Sequence, residues 1–213
     1  MRKIIALMIS TILLGGGARL AQATVLSTPF SGGNGANGEV FQIEALTDIV
    51  VRDFGVNAVD GFLEAGDITT WSVYQHDGFI SSVTAGAGLW TLIASGGAVV
   101  SAGANEITYL NSGLSVSIAA GTIEAFLILE TLNLVSYTNG GNVGNIEASN
   151  GDLRILQGWG AASDFSTFAP RLANISVVYT TGIPEPGSLG LLGLGVAAIA
   201  ASRQRSARRK VTG

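Results

Sequence analysis

From Thr24 to about Thr181 the chain is a succession of short segments in which apolar and polar residues alternate, each soon broken by glycine, asparagine or aspartate. A period of two marks strands with one face buried, and no stretch holds a helical period long enough to compete. Residues 40–46 (VFQIEAL) and 49–56 (IVVRDFGV) show it best; similar segments fall at 71–75, 89–94, 114–118, 123–130, 132–138, 153–157 and 175–180. About ten strands at this spacing predict an all-β chain folded as one antiparallel β-sandwich, jelly-roll-like, over residues 24–181.

The breaks carry turn chemistry. Asn139-Gly140 and Asn150-Gly151 read as hairpin turns, because Asn and Gly accept the positive φ of tight turns, and Asp77-Gly78 reads as a third. The glycine-rich stretch 30–39 (FSGGNGANGE) reads as a loop between strands. Thirty glycines against four prolines suit such a turn-rich chain, and a 47% hydrophobic content excludes disorder. Cysteine is absent, so no disulfide framework or thiolate metal site forms.

Charge is partitioned along the chain. Between Thr24 and Ile183 three arginines (Arg52, Arg154, Arg171) face fourteen acidic residues, a net charge of −11 with no lysine. Such a segment repels nucleic-acid phosphates and anionic membrane surfaces, and divalent cations, cationic surfaces or neutral glycans suit it better.

The cations sit at the ends. Residues 1–23 have the form of a secretory signal peptide: basic Arg2 and Lys3, an apolar run over 4–14, and small Ala21 and Ala23 placed for signal peptidase, so that the mature chain begins at Thr24. The apolar run is far short of the ~20 residues of a permanent span.

At the other end, Pro184-Glu185-Pro186 is held extended by its prolines. The uncharged run 188–201 (SLGLLGLGVAAIAA) follows, then Arg203, Arg205, Arg208, Arg209 and Lys210. Fourteen helical residues cover about 21 Å at ~1.5 Å each, less than a hydrocarbon core of ~30 Å. The basic cluster keeps the tail cytoplasmic by the positive-inside bias. Together these read as a transient single-pass insertion of the inner membrane.

The Pro-Glu-Pro triplet, the glycine- and leucine-rich run and the arginine-rich end resemble the PEP-CTERM sorting domain of Gram-negative bacteria, over residues 182–213. The resemblance implies an exosortase as partner, removal of the tail and passage to the cell surface, in a setting of exopolysaccharide and biofilm. The middle is similar to a β-sandwich domain of secreted bacterial proteins through GGNGANGEVFQI, WTLIASGGAVVSAG, SVSIAAGTIEAFLI, YTNGG, NGDLRILQGWG and TFAPRLANISVVY. That resemblance supports a fold and implies no activity.

Catalytic constellations are weak. His76 is the single histidine, and Ser72, His76 and Asp77 lie too close along one strand and turn to converge as a triad. Asp60, Glu64 and Asp67 lack the spacing of a calcium loop, and scattered acids single out no glycosidase pair. The expectation is therefore a chain without catalytic, metal or cofactor residues. Trp90, inside LWTLI, reads as core. Trp159, between Gly158 and Gly160, reads as an exposed loop residue able to stack on a sugar. The function expected is a non-catalytic surface or matrix protein, with a lectin-like carbohydrate-binding module as the alternative and a glycan hydrolase behind both.

Overall fold

The computed structural model describes residues 22–30, 32–58, 64–81, 87–130 and 135–182. Ala21, the Pro184–Pro186 triplet, the apolar run 188–201 and the basic residues from Arg203 to Lys210 lie outside the described residues. Among the described residues fourteen strands form two antiparallel sheets, as the alternation predicts.

The smaller sheet runs β1 (Ala23–Ser27), β14 (Ile175–Thr181) and β4 (Ile49–Asn57), with β7 (Ile107–Tyr109) and β8 (Val116–Ile118) sharing the far edge of β4. The larger sheet is ordered β2 (Asn34–Ala36), β10 (Val135–Asn139), β13 (Thr167–Ala173), β12 (Leu153–Ala161), β3 (Gly38–Ala45), β9 (Ile123–Glu130), β5 (Ile68–Asp77) and β6 (Thr91–Val100). Its ninth strand, β11 (Ile146–Ser149), lies beside the first half of β12. Five and nine strands exceed the eight of a jelly roll.

Alternation places Phe41, Ile43 and Ala45 of β3 on the inner face, with Phe126 and Ile128 of β9 and Leu153 and Ile155 of β12. Phe54 from the smaller sheet closes a ring cluster with them: its centroid lies 5.3 Å from Phe41 and 5.2 Å from Phe126. Such edge contacts tie the two sheets together at their centre.

The other face of the larger sheet is buried as well. Val40, Ala125 and Leu127 build a second core with Ile80, Trp90, Trp159 and Ala161. Gln42, fully buried on β3, holds the covering segment through the Ile80 N–H, which donates to its Oε1 at 2.7 Å. Burial on both faces explains why β9 reads as a continuous apolar run at Ala125–Leu129 instead of a clean alternation.

Three turn expectations change. Asn139-Gly140 ends β10 without closing a hairpin, because β10 pairs with β2 and β13 while β11 pairs with β12. Asp77-Gly78 does turn, with Gly78 at φ +86°, yet β6 resumes only at Thr91, so the connection is long. The stretch 30–39 contributes β2 and the start of β3. Asn150-Gly151 does join paired strands; its closure comes from the Asn150 side chain, whose Oδ1 accepts the N–H groups of Asp152 (2.9 Å) and Leu153 (3.0 Å).

Candidate functional site

On the outer face of the larger sheet, β5, β6 and the turn 162–166 enclose a groove of about 330 Å³. Thr70, Ser72 and Tyr74 from β5, Ser95 from β6, and Ser163 and Phe165 from the turn line it, with Leu129 beneath. Register shifts in the β5–β6 pairing, between Thr69 and Trp71 and again between Val73 and Tyr74, flank these residues. Bulges bend a strand and re-aim its side chains, and they concentrate beside sites.

Phe165 has φ +67°, a left-handed conformation that costs a non-glycine residue about 1–2 kcal/mol. The turn holds it there: the Phe165 N–H donates to Ala162 O at 3.0 Å, and the Ala162 N–H to Ser166 O at 2.8 Å. The Asp164 carboxylate accepts the Ser166 N–H (3.0 Å) and hydroxyl (2.5 Å). Those bonds hold the Asp164 carboxyl below its usual pKa, so the turn keeps a negative charge between the lining residues Ser163 and Phe165. The strain sets the Phe165 ring edge-on to Tyr74, centroids 5.0 Å apart at 81°.

A second cluster is buried. Glu39 opens β3 on the same face as Phe41, is 0% exposed, and neither carboxylate oxygen has a hydrogen-bond partner. Burial, reinforced by the charge of Glu147, raises its pKa well above the usual range, against the opposing pull of Arg171. Glu147, the residue skipped by the bulge in β11, also has two buried, unpartnered oxygens, and burial lifts it to about 8. The Ala173 amide opposes that rise while falling short of a hydrogen bond. Arg171 stacks over Tyr137 (4.8 Å) and Phe168 (5.4 Å), and its Nη1 donates to Pro170 O. Sequence reading missed this cluster, although an acid sharing the parity of Phe41 and Ile43 was the available signal.

The tryptophans divide. Trp90 is buried in the second core, as its apolar context predicts. Trp159 is not in a loop: it belongs to β12 and is 3% exposed. A register shift between Leu156 and Trp159 brings it opposite Val40, into the second core beside Trp90 and Ile80. A ring so placed presents no face to a sugar.

Ser72 and His76 lie four residues apart along β5, roughly 13 Å at 3.3 Å per residue, so no triad assembles. The His76 ring instead meets Trp90 edge-on at 6.0 Å. Glu64 and Asp67 close a turn on each other, the Glu64 N–H donating to Asp67 Oδ2 at 2.9 Å; Asp60 lies outside the described residues. Among the described residues no three His, Cys, Asp or Glu side chains are grouped to hold a metal ion.

The two ends of the fold meet. Ala23 pairs with Thr180 and Thr24 with Tyr179, so β1 leaves the sheet beside the end of β14. At Gly182, φ +78°, the chain turns away, its N–H donating to Asp48 O at 3.3 Å. Residues 182–206 match the PEP-CTERM protein-sorting motif. The sorting motif thus begins one residue after the last strand ends, and it implies a chain that is exported, anchored in a membrane and then processed by an exosortase.

No curated protein matches the chain. Among solved structures, the clostridial cysteine protease Cwp84 after propeptide cleavage is similar at TM-score 0.43 and 13% identity, covering 75% of this chain. The similar region spans 40% of that protease. A likeness at this level carries no argument about activity.

Proposed function

We propose that the mature chain is a non-catalytic protein of the cell surface or extracellular matrix of a Gram-negative bacterium, associated with exopolysaccharide or biofilm. Signal peptidase releases it after Ala23, with Thr24 as the new N-terminus. The run 188–201 holds it in the inner membrane in a single pass, with Arg203, Arg205, Arg208, Arg209 and Lys210 in the cytoplasm, until the exosortase acts at Pro184-Glu185-Pro186.

One observation carries the reading: every described strand is complete before the sorting motif starts at Gly182. Removing both ends therefore costs the sandwich only the first residue of β1. What remains is an acidic domain of net charge −11, soluble and self-repelling, suited to display.

Mass spectrometry of the protein recovered from the cell surface tests this. The expected species starts at Thr24 and ends near the Pro-Glu-Pro triplet. A surface protein that retains residues 188–213 removes the proposal.

A further inference from the structure

We infer that the outer-face groove between β5, β6 and the turn 162–166 binds an uncharged saccharide ring, with Tyr74 and Phe165 as its apolar walls. This rests on the surface-protein reading for the presence of such a partner and deepens it by naming the partner's chemistry. The groove itself stands on geometry alone.

A pyranose has two demands: a flat patch of C–H groups seeks an aromatic face, and a girdle of hydroxyls seeks groups that both donate and accept. Tyr74 and Phe165, set nearly at right angles, make a corner with one ring across the other. Around that corner stand the hydroxyls of Ser72, Ser95 and Ser163, a group type that both donates and accepts. About 330 Å³ lies at the small end of the roughly 300–1,000 Å³ of small-molecule sites, a fit for one ring or a short stretch of chain.

The lining also selects against charge. Glu130 and its cross-strand partner Trp71 also border the groove, whose lining includes a carboxylate and no lysine or arginine. Asp164, in the turn between the lining residues Ser163 and Phe165, holds a carboxylate fixed by Ser166. With the net charge of −11 behind it, that carboxylate repels a uronate or a sulfated sugar and leaves an uncharged one unaffected.

The local costs make sense on this reading. A glycine at position 165 would adopt φ +67° without strain, yet it would remove one wall. The chain keeps phenylalanine there and bears the strain, a pattern that clusters at ligand sites.

The test uses the processed protein recovered from its host, run by affinity electrophoresis through gels carrying dextran, laminarin, mannan or galactan, with alginate as the anionic arm. Retardation by at least one neutral polymer and none by alginate is expected. Ser95→Arg, from an exposed position, places a long cation in the groove and should weaken retardation at least about tenfold, which is 1.4 kcal/mol, with an unchanged melting midpoint. Should Ser95→Arg lower that midpoint, Ser163→Arg, also exposed, carries the same expectation from the opposite rim. Retardation by no neutral polymer, preference for alginate, or equal retardation of both variants overturns the inference. Normal processing and surface recovery with no binding would sink the groove and spare the surface reading; binding by a protein that never reaches the surface would do the reverse.

Discussion

Ala23 and Thr180 face each other as antiparallel partners, so the first and last strands of the described fold lie side by side. β14 ends at Thr181 and Gly182 takes φ +78°, so the last strand is complete before the sorting motif begins. Glu185→Ala, and separately deletion of 203–210, should leave the folded domain's melting midpoint unchanged while unprocessed protein accumulates in membranes. Intact mass of the membrane and surface fractions reads this directly; normal processing in both variants would refute it.

The buried acids make stability depend on pH in an unusual direction. Glu147, raised to about 8 by burial, binds its proton more tightly in the folded chain than in the unfolded one. Below its ordinary value near 4.5 both states are protonated and nothing is lost. Between 4.5 and about 8 the unfolded state ionises while the fold keeps the proton, so stability falls by about 1.4 kcal/mol per pH unit from this group. Glu39 adds a fall in the same direction. Urea denaturation across this window should show the decline, and Glu147→Gln should flatten it and raise stability at pH 8.

Gly96 sits opposite Trp71, and a Cβ there would clash with the indole. Gly96→Val should cost about 1–3 kcal/mol through overpacking and quench or shift Trp71 fluorescence. An unchanged denaturation midpoint would show that the indole has another place to go.

Trp159→Ala should behave as a core truncation, destabilising by about 3–5 kcal/mol. An exposed tryptophan in the same sequence context would cost a few tenths, so a denaturation curve separates the two placements.

Much of the fold was legible because strands announce themselves locally. The alternation over 40–46 and 49–56 marks β3 and β4 to within two residues at either end. What escaped depended on who pairs with whom. Asn139-Gly140 looks like a hairpin, but the partners of β10 are β2 and β13, a fact no dipeptide encodes. Trp159 was misplaced because Gly158 and Gly160 read as a loop, whereas both belong to β12, which pairs with β3 and β13, and flank a buried Trp159. The groove was invisible for the same reason: residues 70–74, 95 and 163–165 meet only through pairing across β5 and β6 and the fold of one strained turn. Glu39 was the exception, readable as an acid in an apolar row.

The second core has a practical meaning for anyone wishing to use this chain as a display scaffold. The segments bearing Ile80, Trp90, Val143 and Phe165 look like decoration in the sequence, yet they seal one side of the larger sheet. A foreign epitope spliced among them would peel away a load-carrying wall. The turn at Gly113 is exposed, has open space around it, and is moored by Asp53, whose carboxylate accepts the Asn111 and Ser112 amides at 3.1 and 2.9 Å. Cargo belongs there, where the mooring would hold the fold while the guest peptide moved.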